Sequence, residues 1–146
     1  MRVKCRIICY STKTKRYSMQ IELANTINDE NIEKLVRTFY PMVLKDPLVG
    51  PFFVEKLGDD IHSDIWEEHL VLISHFWAFV ALGDERYTGR PMAPHFLIEG
   101  ISRKAFEQWL KLFTEAIDKV YVPESGEYFK LKSADIASNF MRNLGI

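Results

Sequence analysis

Between Ser102 and Tyr121 the chain places Phe106, Trp109, Leu110, Phe113, Ile117, Val120 and Tyr121 at spacings of mostly three and four. Only a helix of 3.6 residues per turn gathers such a series on one face. The same period recurs in three other segments. Ile32, Leu35, Val36, Phe39, Tyr40 and Val43 form a stripe after Asn28, an N-cap residue followed by Asp29 and Glu30 in the first turn. Trp66, His69, Leu70, Ile73, Phe76, Trp77 and Val80 form another, with Ser63 or Asp64 as its cap and Gly83 as its stop. Tyr128, Leu131, Ala134, Ala137, Phe140, Met141 and Leu144 form the last, ending at Gly145, with Pro123 and Gly126 expected to break the chain before it. Asp46-Pro47 ends the first helix, and Pro41 inside it predicts a kink near residues 37 to 41. Gly50-Pro51-Phe52-Phe53 reads as a turn delivering two aromatics, and residues 84 to 94 as a loop leading into a short helix at most. Val3 to Tyr10 is a weak strand candidate. The expectation is an all-α domain without repeats.

A chain of 146 residues is one domain by default, and 47% hydrophobic with 27% charged residues is an ordinary globular composition. With a net charge of −1, nothing suggests an overall nucleic-acid surface. No uninterrupted apolar run approaches the roughly 20 residues of a membrane span. Charge is uneven: Arg2, Lys4, Arg6, Lys13, Lys15 and Arg16 stand in the first 18 residues without an acid. Ile7-Ile8-Cys9-Tyr10 is too short for a signal-peptide core. Residues 1–26 therefore read as a basic, flexible or loosely docked extension, and residues 27–146 as the domain. Cys5 and Cys9 give no disulfide framework, which points to a reducing, cytoplasmic setting.

Four groups stand out because they can bond a ligand from within or beside apolar stripes: Tyr40, His69 and Trp109 on three different helices, and His95 in the loop before the third. Buried Tyr, Trp and His side chains ordinarily find a partner, and a single one is unremarkable. Three aimed at one core suggest a pocket holding a polar ligand. Imidazole is the commonest side-chain metal ligand, although a lone His before a helix is more often structural.

The segments Phe39-Tyr40, Gly50-Pro51-Phe52-Phe53, Trp66-Glu67-Glu68-His69, Phe76-Trp77, Tyr87-x-Gly89-x-Pro91 leading to His95, and Phe106-x-x-Trp109-Leu110-Lys111-Leu112-Phe113 together resemble the truncated haemoglobins of the third group, over about residues 27 to 145. That resemblance implies a globin-like two-over-two helical sandwich around haem b (iron protoporphyrin IX). His95 would be the proximal iron ligand. Tyr40, His69 and Trp109 would be the distal set. Phe39, Phe53, Ile73, Phe76, Trp77 and Met92 would pack around the porphyrin. Iron held by one His leaves a position open, whose behaviour the distal pocket sets. The implied partners are dioxygen, nitric oxide and similar small ligands, with no nucleic acid and no membrane.

Two strong donors, the Tyr40 hydroxyl and the Trp109 indole, suit retention of a partly negative ligand, with redox chemistry such as nitric oxide dioxygenation or peroxidase-like turnover. Turnover would need a separate reductase, because no Gly-rich dinucleotide fingerprint is present. The simpler readings are a core tyrosine bonded to a backbone carbonyl, a core tryptophan, and a structural or swinging His69. His62 and His75 match no ligand position. Ile98-Glu99-Gly100-Ile101 departs from the family in lacking prolines after the proximal His. Two other functions are compatible with the sequence: a haem-based sensor or interaction module docking through the basic extension, and a haem-free scaffold, which would show no Soret band.

Overall fold

The structure, a computed structural model, describes residues 22–146. The basic cluster, Cys5, Cys9 and the weak strand candidate lie outside the described residues. Five α-helices follow among those described: α1 Asp29–Lys45, α2 Gly50–Leu57, α3 Asp64–Leu82, α4 Arg103–Val120 and α5 Pro123–Leu144, with a 3-10 turn at Ala93–Leu97 before α4. Helix α1 packs on α3, α4 packs on α5, and α1 lies against α4, so two pairs are layered. This is the two-over-two helical sandwich.

Local chemistry sets most boundaries. Asn28 and Asn31 close a reciprocal capping box at the start of α1. The Ser63 and Ser102 hydroxyls accept the backbone N–H groups of Trp66 and Ala105. Gly83 and Gly145 take left-handed φ values of 71° and 74° at the ends of α3 and α5, a conformation that costs glycine nothing. Helix α1 runs on through Pro41, and Tyr40 beside it stays buried.

Two expectations are corrected. The Gly50-Pro51-Phe52-Phe53 corner is not only a turn but the first half of α2. Pro51 stands in the first turn of that helix, where its missing N–H has no helical partner to lose. Pro123 and Gly126 do not break the chain: Pro123 starts α5 and Gly126 lies within it. A Cβ on Gly126 would meet Ile117 Cγ2 at 2.8 Å, so α4 and α5 approach closely there. That approach turns Gly126, Phe129, Ser133, Ala137 and Met141 inward and leaves Leu131, expected in the stripe, 59% exposed.

The main core joins Phe39, Trp66, Trp77, Phe113, Ile117 and Phe129, among others. Each fully buried side chain of this kind contributes roughly 1.5–3 kcal/mol. A smaller cluster of Phe106, Ala137 and Met141 lies between α4 and α5. The chain before α1 is pinned to the end of α4 by Ala24 N–H donating to the Val120 carbonyl at 2.8 Å.

Helix α3 is unusual. At 19 residues and a mean hydropathy of 1.2 it is long and apolar enough, by length and composition alone, to cross a membrane, which a search for uninterrupted apolar runs overlooks because Glu67 and Glu68 interrupt it. Trp66, Leu70, Trp77 and Ala78 tie it into the core.

At the α1–α2 corner, a Cβ on Gly50 would stand 2.8 Å from the Val43 carbonyl oxygen and 3.0 Å from that of Leu44. These are backbone atoms and cannot swing aside. Gly50→Ala is expected to lower the unfolding free energy by about 1–3 kcal/mol, whereas exposed Leu131→Ala should stay within about 0.5 kcal/mol. Urea titration of the two variants checks this, and equal midpoints would contradict the tight corner.

Candidate functional site

Helix periodicity brings the distal candidates together. On α1 the consecutive Phe39 and Tyr40 are 1% and 4% exposed. The Tyr40 ring lies 5.2 Å from that of His69, 5.6 Å from Phe53 and 5.6 Å from Trp66, measured between centroids. Phe39 meets Trp109 edge-on at 5.3 Å. Trp109 stacks on Phe113 at 5.1 Å, Phe113 on Trp77 at 5.2 Å, and Trp77 meets Phe76 at 5.2 Å. Ile73 is half-buried against the same core. Thus Phe39, Tyr40, Phe53, His69, Ile73, Phe76, Trp77 and Trp109 share one aromatic wall.

The polar groups on that wall are notable for what they do not bond. Among the described residues His69 Nε2 is buried with no hydrogen-bond partner. Burial pushes its pKa down to about 4, so the ring is neutral at pH 7. Burial pushes the Tyr40 phenol well above its ordinary value, so it stays protonated and able to donate. The simpler alternative for Tyr40, a bond to a backbone carbonyl, is not found among the described residues. By contrast Trp66, buried in the same cluster, is satisfied: its indole N–H donates to the Gly58 carbonyl at 2.8 Å.

His95 sits in the 3-10 turn, half-buried, 4.6 Å from the Phe140 ring and 6.2 Å from that of Phe106. It lies beside the smaller cluster, against two of its members. Its Nδ1 lies 2.8 Å from the Pro91 carbonyl oxygen. A carbonyl only accepts, so Nδ1 carries the proton and Nε2 keeps a free lone pair. Burial lowers the His95 pKa and the Pro91 contact partly opposes that, so the neutral, ligating form dominates at pH 7. Met92 is half-buried nearby, its sulfur 3.9 Å from Asn143 Nδ2. Phe106 and Trp109 stand one turn apart on α4, so one helix borders both His95 and the distal wall.

These residues fit a flat apolar cofactor with a metal at its centre. The α3 stripe His69, Ile73, Phe76 and Val80 is only half-buried, while Trp66, Leu70 and Trp77 beside it are fully so. Phe96 and Leu97, next to His95, are 60% and 75% exposed. Apolar surface is thus exposed both beside His69 on α3 and beside His95 in the 3-10 turn. Among the described residues no group of three His, Cys, Asp or Glu could hold a bare metal ion, so a single imidazole suits a metal carried by a macrocycle.

The sequence places Phe106, Phe140 and Trp66 on apolar helix stripes without giving them a part in the site, and nothing in it marks the Pro91 carbonyl as the acceptor for His95. The signal for Trp66 was available, since it shares the His69 stripe. A backbone acceptor four residues before a histidine leaves no mark in residue type.

An all-helical sandwich with a tautomer-fixed His95 and an aromatic wall holding a buried, unpartnered His69 Nε2 suits a protein of globin type. Residues 26–143 match the bacterial-like globin family. The chain is 38% identical over 119 residues to group 3 truncated hemoglobin ctb of Campylobacter jejuni, covering 82% of this chain and 92% of that protein. The crystal structure of group III truncated hemoglobin from Campylobacter jejuni superposes with a TM-score of 0.79 at 38% identity, covering 84% of this chain and 95% of that one. The chain belongs to the bacterial-like globins, as a truncated haemoglobin of the third group. Haem binding, and binding of small gaseous ligands through it, follow from that membership.

His69 supplies a pH test. Its folded pKa lies below the ordinary 6.5, so its contribution to stability is intact above pH 6.5 and is lost as pH falls from 6.5 towards 4. In haem-free protein the unfolding free energy should fall across that window by up to about 1.4 kcal/mol per pH unit from this group. His69→Phe should flatten the slope while leaving the smaller His95 part. Identical slopes in urea titrations between pH 7 and 4.5 would show that His69 is not held neutral.

Proposed function

We propose that the chain binds haem b with His95 as the proximal ligand, and holds dioxygen or nitric oxide against Tyr40, Trp109 and His69. The observation that carries this reading is the Pro91 carbonyl 2.8 Å from His95 Nδ1, which fixes the tautomer with Nε2 free. When bound, haem supplies a redox-active iron with an open position for a diatomic ligand.

The chain's own residues do the rest. Pro91 and the rings of Phe106 and Phe140 hold the His95 imidazole. Phe39, Phe53, Ile73, Phe76, Trp77 and Met92 provide apolar surface for the porphyrin and exclude water. Tyr40 donates one O–H and Trp109 one N–H to a partly negative ligand, each bond contributing roughly 1.5–3 kcal/mol in that setting. His69, neutral and without a partner, accepts or donates according to its tautomer. Such a pocket retains a ligand rather than delivering it, which suits redox chemistry on the ligand with electrons from a separate reductase in the cytoplasm. The globin domain is taken as residues 27–146, with residues 1–26 as an extension.

The purified, haem-supplemented chain should show a Soret band and take up dioxygen and carbon monoxide in the ferrous state. Tyr40→Phe should raise the dioxygen off-rate at least about tenfold, since about 1.4 kcal/mol is one decade. An unchanged off-rate would remove Tyr40 from ligand retention, and a missing Soret band would remove the haem reading.

A further inference from the structure

Asp46 closes α1 six residues after Tyr40, and every oxygen it has is used. Its backbone carbonyl accepts the Gly50 N–H at 2.9 Å. Carboxylate Oδ2 accepts the N–H groups of Leu48 at 3.0 Å and Val49 at 2.8 Å, shaping the corner that opens α2. Oδ1 accepts the side-chain amide of Gln108 at 2.7 Å. Gln108 lies on α4 immediately before Trp109. Both partners are half-buried. Burial pushes the Asp46 carboxyl upward in pKa, and the bonds from Val49, Gln108 and Leu48 outweigh that and lower it, so it stays ionised.

One carboxylate therefore joins the end of α1 and the start of α2 to the second turn of α4, the three helices that carry Tyr40, Phe53 and Trp109. Trp109 has no hydrogen bond of its own among the described residues, and is held otherwise by the rings of Phe39 and Phe113. Rings in edge and stacked contact slide at little cost, whereas a charge-assisted hydrogen bond fixes register. We propose that the Asp46–Gln108 hydrogen bond is a positioning contact that sets the Trp109 indole relative to Tyr40 across the distal wall. Gln108 is a positioning residue: it touches no ligand and acts through Trp109. The inference rests on the haem reading above for its consequence in ligand retention, while the placement of the indole stands apart from it.

Three variants separate positioning from simple helix capping. Gln108→Leu removes the donor and leaves the Leu48 and Val49 bonds intact. Gln108→Glu sets two carboxylates against each other. Asp46→Asn combined with Gln108→Glu restores a bond, because the Asn amide N–H then donates to the Glu carboxylate while its carbonyl oxygen still accepts Leu48 and Val49. The readouts are the infrared stretch of carbon monoxide bound to the ferrous protein and the NMR resonance of the Trp109 indole N–H, the latter with and without haem. Gln108→Leu and Gln108→Glu should move both signals and raise the dioxygen off-rate by at least about threefold, the scale of coupling between contacting residues. The double variant should return them towards wild type, and Glu107→Gln, exposed on the same turn, should leave them unchanged.

Wild-type signals in Gln108→Leu, or no recovery in the double variant, would overturn the positioning role. If Gln108→Glu does not fold, Gln108→Leu decides alone. A wild-type chain without a Soret band would sink the haem reading only, since the indole resonance in haem-free protein still judges the contact.

Discussion

The site depends on one backbone carbonyl. Pro91 O accepts from His95 Nδ1, and that single contact decides which imidazole nitrogen is free to bind a metal. Without it the ring could present either nitrogen and rotate in its turn. Pro91 and Pro94 flank this stretch and restrict its backbone, so the acceptor and the ring are held in a short 3-10 segment rather than a full helix. The rings of Phe106 and Phe140 then complete the seat. A neutral imidazole with a fixed tautomer is what an iron–nitrogen bond requires.

The opposite side follows a different logic. Tyr40 is buried and His69 half-buried in an aromatic wall, and among the described residues His69 Nε2 is enclosed there without a hydrogen-bond partner. Leaving that nitrogen unpaired costs on the order of 1–3 kcal/mol, so the wall favours a polar ligand that can meet it. The strongly apolar α3 carries the His69 side of that wall, and α4 links the two sides through Phe106 and Trp109.

How much of this was legible depended on how local the cause was. The cap at Asn28, the choice of Ser63 or Asp64 before α3 and the stop at Gly83 are legible because each acts within one turn. The start of α2 was misread, since Gly50-Pro51 signals a break and only the corner geometry shows Pro51 beginning a helix. On α5 the expected Ala137 and Met141 are buried, but Leu131 is exposed and Gly126 and Phe129 turn inward instead, because the close approach of Gly126 to Ile117, a tertiary contact, sets that face. Tyr40, His69, Trp109 and His95 stood out as polar groups in apolar settings. The Pro91 acceptor and the Asp46–Gln108 bond, 62 residues apart in sequence, were invisible because residue type does not encode them.

The central claim is that the His95 imidazole alone ties the chain to its iron. Replacing it with the smallest residue, His95→Gly, and then adding free imidazole to the buffer tests this directly. The expected result is a protein whose ferrous Soret band and carbon monoxide uptake are lost or strongly altered, and which recovers the wild-type spectrum when imidazole fills the gap. A His95→Gly protein with an unchanged spectrum, indifferent to imidazole, would contradict the account.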